Sequence, residues 1–175
     1  MKRTVKIEAI VLKKKILPNR DTIVALFSDA LGKVSVIAKG VKKITSRRSP
    51  HLQTANLISC ILYKKDERYY LQETTLISGF SQIKNNREKL NNLYQYFFIL
   101  ERLLPENQTE PQIYNLLLRY LIELSQAKEN KIELLKNYLN NTLKLLGYIK
   151  EDKSHEELIW FAEGIIHEKI PQLHL

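Results

Sequence analysis

Hydrophobic and polar residues alternate along the first part of the chain in the way that β-strands require. Between Thr4 and Leu12 the apolar residues occupy every second position and then become continuous, which predicts a strand buried partly on both faces. Segments rich in β-branched and aromatic residues predict four more strands, at Thr22–Phe27, Lys33–Lys39, Leu57–Tyr63 and Tyr69–Ile77. The first 80 residues are thus predicted to form a sheet of short strands.

Turn-forming residues separate these strands. Pro18–Asp21 precedes the second strand, Gly32 can take the positive φ angle that a hairpin needs, and Lys64–Arg68 joins the last two strands. A longer, basic connection, Val41–Pro50, separates the third strand from the fourth. This arrangement predicts a five-stranded Greek-key barrel of the OB type, a fold that often binds oligonucleotides, with an SH3-like barrel as the alternative.

Beyond the fifth strand the hydrophobic period changes from two to about 3.6 residues, which predicts helices. Pro105 ends the first helix, Pro111 precedes the second, Gly147 follows the third, and Ser154 opens the fourth with Glu157 as its capping-box partner. The predicted fold class is α+β, with an OB-fold domain at residues 1–80 and a helical bundle at residues 81–175.

The positive charge of the chain is concentrated in its first part. Residues 1–80 contain 16 Lys and Arg against 6 Asp and Glu, a net charge of +10, whereas residues 81–175 contain 12 against 13, a net charge of −1. Such a concentration of charge attracts phosphate backbones and releases their counterions on binding. A nucleic acid is therefore the expected ligand, with an anionic membrane surface and an ordinary solvated basic face as the alternatives.

Residue types that carry catalysis or hold metals are sparse. Cys60 is the only cysteine and lies in a predicted strand, and the 4 histidines have no metal-binding spacing. The isolated glycines form no phosphate-binding loop, and no apolar stretch approaches the roughly 20 residues of a membrane span. We expect a cytoplasmic protein with no disulfide, metal or other cofactor and no catalytic activity. Trp160 and Phe161 are interpreted as packing residues of the last helix.

Basic residues cluster in the predicted barrel, and tyrosines accompany them. Lysine supplies a point charge and arginine a planar fork for phosphate, so the mixture suits contact with a nucleic-acid backbone. Tyr63, Tyr69 and Tyr70 flank the last hairpin and can stack on bases, although strand alternation sends Tyr69 and Tyr70 to opposite faces. The predicted nucleic-acid-binding residues are Arg20, Lys33, Lys39, Lys42, Lys43, Arg47, Arg48, Tyr63, Lys64 and Lys65.

Several short segments follow the order and spacing of a known family. They are Glu8–Leu12, Asp21–Val24, Leu26–Ser28, Gly32–Gly40, Ser46–Arg47 and His51–Gln53. This set resembles the N-terminal domain of the RecO family of recombination mediators. A second set, Leu143 with Leu146–Tyr148 after Tyr138, resembles a core helix of the same family. Together the two sets cover most of the chain.

The resemblance implies an OB-fold domain followed by a helical domain, in a protein that binds single- and double-stranded DNA and anneals complementary strands. It also implies displacement of the single-stranded DNA-binding protein so that RecA can load, with RecR as a partner. We expect the acidic tail of the single-stranded DNA-binding protein to dock on the third predicted helix, where cations flank apolar residues: Lys136, Leu139, Leu143 and Lys144.

The chain also departs from the family pattern. Many members carry a four-cysteine zinc finger after the segment that corresponds to Leu146–Tyr148, whereas this sequence has no cysteine beyond Cys60. The sequence is shorter than usual, so we expect a short form without the zinc module. A module that binds single-stranded or structured RNA is the alternative, because an OB barrel does not itself choose between DNA and RNA. A third hypothesis combines a helical adapter with an anchor for membrane surfaces or other polyanions.

Overall fold

The computed structural model describes residues 3–18, 21–40, 48–129 and 131–172. Within these ranges the predicted strands are present as β1 (Arg3–Ile16), β2 (Thr22–Ser28), β3 (Gly32–Ala38), β4 (Leu57–Lys65) and β5 (Arg68–Ser78). They close into a barrel in the order β1-β2-β3-β5-β4, in which β1 pairs with both β2 and β4. The short β3–β5 pairing is parallel and the others are antiparallel. The predicted OB-type barrel is therefore confirmed.

The barrel closes around side chains that point inward from alternate strand positions. Cys60 lies among them with 1% of its surface exposed, and burial raises the pKa of its thiol to about 12. The same core contains Ala9, Val11, Val24, Leu26, Val36, Ala38, Leu52, Ile58 and Leu62. Full burial of one large apolar side chain stabilises a fold by about 1.5–3 kcal/mol, so this core holds the barrel closed.

β1 is longer than its sequence pattern predicts, because a bulge interrupts the alternation. Its pairing with β2 shifts register between Val11 and Lys13, and both Val11 and Leu12 are buried there. Beyond the bulge the strand continues to Ile16 through the exposed residues Lys13–Lys15. Because three consecutive lysines carry no apolar alternation, the prediction ended the strand at Leu12.

The hairpin between β4 and β5 turns within two residues rather than across the whole basic segment. Asp66 and Glu67 both have left-handed backbones, with φ angles of 50° and 59°. Such a pair makes a type I′ turn, whose twist matches that of the adjoining strands. Lys64, Lys65 and Arg68 consequently belong to the strands, and Lys65 pairs with Arg68.

The helices that follow in the described residues are α1 (Ser81–Lys84), α2 (Arg87–Leu103), α3 (Pro111–Gln126), α4 (Lys131–Leu145) and α5 (His155–Ile166). The four longer helices were predicted, and α1 is an additional single turn. The predicted capping box opens α5, because the Ser154 side chain accepts from the Glu157 backbone and the Glu157 side chain accepts from the Ser154 backbone. α4 is followed by Gly147 at φ 79°, and the Tyr148 N–H donates to the Leu143 carbonyl at 2.8 Å, as in a Schellman motif.

The helices bury an apolar core of their own. Tyr96 and Tyr120 meet edge to face with ring centroids 4.7 Å apart, and the hydroxyls of Tyr96 and Thr142 are 2.6 Å apart. The same helices bury Leu93, Phe97, Leu100, Leu117, Leu121, Leu139, Leu143 and Leu158. Within the described residues, no helix combines the length and the apolar character that a membrane crossing needs.

The chain divides into two compact units. One consists of Met1–Gly79 with Pro105–Tyr114, and the other of Phe80–Leu104 with Asn115–Leu175. Residues 105–110, which we call the strap, connect α2 to α3 and belong to the barrel unit. The division into domains after residue 80 stays a proposal, and the strap adds to the barrel a segment that no hydrophobic pattern assigned to it.

Candidate nucleic-acid interface

One row of side chains crosses the outer surface of the barrel from strand to strand. Residues opposite one another in a sheet have their side chains on the same face, so the strand register defines this row. Lys15 pairs with Ile23, Ile23 with Ile37, Ile37 with Tyr70, and Tyr70 with Tyr63. We call these five residues the transverse row. It forms an apolar and aromatic strip on the barrel, with a lysine at one end.

The two tyrosines of the transverse row stack on each other. The ring centroids of Tyr63 and Tyr70 are 5.1 Å apart, and the ring planes differ by 13°. The Nζ atom of Lys39 lies 5.5 Å from the centroid of Tyr70, within the range of a cation–π attraction. Tyr69 packs against the barrel core instead, so the predicted opposite orientation of Tyr69 and Tyr70 is confirmed. The stacked rings and the lysine thus place aromatic surface and a positive charge next to each other.

A cleft of about 460 Å³ lies over part of the transverse row. OB folds bind oligonucleotides on this face, across the second and third strands and between the β1–β2 and β4–β5 loops. In this protein the cleft is lined by residues of β2, β3 and β5 and by residues next to β2 and β3. They are Leu17, Asp21, Ile23, Ser35, Ile37, Lys39, Arg68 and Tyr70. The cleft thus combines an apolar floor with two cations and an aromatic ring.

The structure brings only some of the predicted binding residues to this surface. Lys39 lines the cleft, and Tyr63 belongs to the transverse row. In the adjoining hairpin Lys65 is exposed, and Lys64 forms a salt bridge of 2.6 Å with Glu67. Four predicted residues lie outside the described part of the chain: Arg20, Lys42, Lys43 and Arg47.

Lys33 needs correction, and Arg48 has structural contacts of its own, although its role in binding stays a prediction. Lys33 is 7% exposed where the strap pairs with β3, so its side chain is covered rather than offered to a phosphate. The Arg48 guanidinium donates to the carbonyl of Lys39 at 2.6 Å and to the carbonyl of Leu71 at 3.2 Å. Arg48 therefore joins the chain after β3 to β5. Both residues were predicted from charge alone, which does not show whether a cation already has a partner.

Sequence reasoning missed several residues of the cleft and its surroundings. Ile23 and Ile37 are half-buried on the outer face, while their neighbours Val24 and Val36 point into the core. Strand alternation gives a signal for them, since they are apolar residues at outward positions of a basic barrel. Arg68 was assigned to a turn and is in β5, where it lines the cleft.

The predicted partner surface on α4 is also corrected. Leu139 and Leu143 are each 0% exposed, so neither side chain is available to a docking peptide. Lys136 pairs with Glu133, one turn earlier, and Lys144 pairs with Asp152 at 2.7 Å. Core packing therefore explains the spacing of lysines and leucines on α4. The leucines are buried, and the lysines lie at the edge of the core in ion pairs.

Trp160 differs from the packing role interpreted for it. Its side chain is 76% exposed on α5. Phe161 is half-buried, and the Nζ atom of Lys153 lies 5.9 Å from the centroid of its ring. Both aromatic residues border a shallow cavity of about 570 Å³, together with Glu163 and His167. The interpretation was therefore wrong for Trp160.

The titratable side chains of the described chain form no set of three or more His, Cys, Asp or Glu placed to hold a metal ion. Nδ1 of His51 lies 2.9 Å from the Thr74 hydroxyl oxygen in the barrel. Nε2 of His155 is buried without a hydrogen-bond partner among the described residues, and burial lowers its pKa against the opposite effect of Glu156. None of these residues is among those that line the cleft.

Comparison with known proteins agrees with this geometry. A family model described as "Recombination protein O N terminal" matches residues 1–80. The chain is 25% identical over 149 residues to a protein named DNA repair protein RecO from Thermoanaerobacter sp., covering 85% of this chain and 60% of that protein. The protein of the same name from Prosthecochloris aestuarii is 25% identical over 167 residues, covering 92% and 63%. The one from Clostridium kluyveri is 30% identical over 120 residues, covering 66% and 44%.

The strand order and the surface of the barrel define an OB-fold protein with a helical unit. The family match coincides with the barrel, and the similarity to the relatives continues over most of the chain. The barrel thus matches the RecO N-terminal domain, and the chain as a whole is similar to proteins named DNA repair protein RecO. It spans about three fifths of the length of the relatives from Thermoanaerobacter sp. and Prosthecochloris aestuarii.

Proposed function

We propose that this protein binds single-stranded DNA in the cleft and acts as a mediator of recombinational DNA repair. In this role it anneals complementary strands and assists the loading of a recombinase. The transverse row is the observation that carries the proposal. Its stacked Tyr63 and Tyr70 offer bases a contact of about 1–3 kcal/mol each, and Lys39 beside them offers a phosphate its counter-charge. The name of the relatives, DNA repair protein RecO, supports the repair setting.

A strand-annealing measurement tests this function. Purified protein is mixed with two complementary oligonucleotides, one carrying a fluorophore and the other a quencher, and quenching is followed over minutes. We expect faster annealing with the wild-type protein and a large loss with the Lys39→Ala, Tyr70→Ala double variant. The Tyr94→Ala variant is the control, because Tyr94 is an exposed tyrosine of α2 in the helical unit. No acceleration by the wild-type protein would overturn the mediator function.

Competition binding separates this proposal from the RNA-binding alternative. A labelled single-stranded DNA is displaced by unlabelled DNA or RNA of the same sequence, and we expect DNA to compete at a lower concentration. A clear preference for RNA would favour the alternative. Vesicles of anionic lipid test the membrane-anchor hypothesis, and binding to them with no affinity for either nucleic acid would support that hypothesis instead.

We further propose double-stranded DNA, RecR and the tail of the single-stranded DNA-binding protein as partners, with RecA reached indirectly. The tail is proposed without the α4 site, because Leu139 and Leu143 are buried. Titration of a tail peptide against the wild type and a Lys136→Glu, Lys144→Glu double variant should therefore give equal affinities. A more than tenfold loss on charge reversal, about 1.4 kcal/mol, would restore the α4 surface as the docking site.

A further inference from the structure

We propose that Ser35 and Glu106 form an acceptor pair that recognises the exocyclic amino group of a base bound in the cleft. The cleft would then prefer cytosine, adenine or guanine over thymine. This inference rests on the proposed function and adds base preference to it. It is carried by the strap, which brings an acidic residue from outside the barrel strands to the rim of the cleft.

The backbone of the strap fixes its position on β3. The N–H of Asn107 donates to the carbonyl of Lys33 at 2.8 Å, and the backbones of Glu106 and Lys33 form an isolated parallel β-bridge. A Cβ atom on Gly32 would lie 1.8 Å from the carbonyl oxygen of Gln108. The φ angle of Gly32 is also positive, at 69°, so this position needs glycine for two reasons. The strap is thus held in contact with β3, beside the strand that contributes Ser35.

Glu106 determines which hydrogen bonds Ser35 can make. The Ser35 hydroxyl donates to Oε1 of Glu106 at 2.9 Å. Because a hydroxyl has one proton, Ser35 is left with acceptor lone pairs only, and a carboxylate also accepts only. Glu106 makes no other side-chain hydrogen bond or ion pair with the part of the chain that the structure describes. The pair therefore offers acceptors and repels phosphate.

The order of side chains along β3 places this pair at the end of the cleft away from Lys39. Ser35 and Ile37 lie about 7 Å apart on the outer face of the strand, and Lys39 follows beyond Ile37. Along β3 the cleft thus runs from Lys39 through Ile37, beside Tyr70, to the acceptors at Ser35. Asp21 beside β2 also lines it, as does Arg68, which the parallel β3–β5 register places next to Ser35. A nucleotide meets this order with its phosphate at Lys39 and the far edge of its base at Ser35.

The base edge decides which nucleotides fit these acceptors. In a single strand the Watson–Crick edge is exposed, and there cytosine, adenine and guanine carry an amino group, whereas thymine carries one N3–H between two carbonyl oxygens. A carboxylate accepting from the amino group of cytosine is a recurring contact in nucleic-acid recognition. Thymine at the same place can donate only its N3–H, and the two carbonyl oxygens beside that N–H would then face the acceptors of the pair.

Affinities for oligo-dC and oligo-dT of equal length, measured by fluorescence anisotropy at one salt concentration, test the pair. These strands are matched because both are pyrimidine homopolymers of equal charge. We expect wild-type protein to bind oligo-dC at least about fivefold more tightly, the lower end for one base-edge contact. Glu106→Ala and Ser35→Ala should reduce this preference below about twofold, and Ser35→Thr, which keeps the hydroxyl, should retain it.

Glu110→Ala is the control, because Glu110 is the other acid of the strap and bonds to Gln108 rather than to Ser35. It removes the same charge and should leave the preference unchanged. Equal affinities of the wild type for both strands would overturn the inference and leave the proposed function standing. An equal gain in affinity for both strands in Glu106→Ala would also overturn the inference and leave the proposed function standing, since it would show that Glu106 only repels the phosphate backbone. Binding to neither strand would overturn the proposed function itself.

Discussion

Surface cations have different surroundings in the barrel unit and in the helical unit. On the barrel, Lys39 and Arg68 line a cleft beside half-buried apolar and aromatic side chains. On α4, Lys136 and Lys144 are held in ion pairs at the edge of a closed leucine core. A strand sends alternate side chains outward, so its outer face stays open, whereas α4 turns Leu135, Leu139 and Leu143 into the helical core. Cations beside apolar residues therefore accompany an open cleft, the proposed binding surface, on the barrel and core packing on α4.

Truncation of a leucine in α4 sharpens this difference and should have the largest effect. Leu143 is 0% exposed, so we expect Leu143→Ala to lower the free energy of unfolding by about 2–5 kcal/mol, as buried leucines do. Lys144→Ala is the matched control on the same helix and should cost less than about 1 kcal/mol, because an exposed ion pair contributes little. Urea denaturation measures both. A small cost for Leu143→Ala would mean that the α4 surface is open after all.

Two arginines of the barrel provide the next test, because only one of them is bound to backbone carbonyls. Arg48→Ala removes hydrogen bonds to Lys39 and Leu71 and should lower the free energy of unfolding by about 2 kcal/mol. Arg68→Ala should leave stability within about 0.5 kcal/mol and reduce the slope of log affinity for single strands against log salt by about 0.7. The reverse pattern would exchange their structural and binding roles.

Removal of one ring from the transverse row tests whether the barrel surface binds bases. Tyr70→Ala should weaken binding of single-stranded DNA by about 1–3 kcal/mol, because it takes away a ring on which a base stacks. The unfolding free energy should change less than for Leu143→Ala, since Tyr70 is only half-buried. Tyr94→Ala changes an exposed tyrosine of α2 and should leave DNA binding unaltered. Equal losses in both variants would contradict a specific role for the row.

Features that depend on neighbours in sequence were predictable, and those that depend on distant pairing were not. The capping box of Ser154 and Glu157 spans four residues, and it is present as predicted. The hydrogen bond between Ser35 and Glu106 joins positions separated by 71 residues, and the strap has no periodic pattern that places it on β3. Likewise, the charge of Arg48 was evident from sequence, but its carbonyl partners exist only in the closed barrel.

The smallest expected effect concerns a charge of the helical unit that acts locally. The pKa of Glu157 is lowered, first because the Ser154 backbone N–H donates to its carboxylate, at 2.8 Å. A carboxyl whose folded pKa is lowered adds stability above its ordinary pKa of 4.5 and loses it as the pH falls through the lowered value. Glu157→Gln should therefore be less stable than the wild type at neutral pH, and this difference should shrink in acid. Glu156→Gln is the control, since Glu156 lies in the same first turn outside the capping box. Thermal unfolding across pH 3–7 measures both variants, and an equal, pH-independent loss in the two would contradict the capping role.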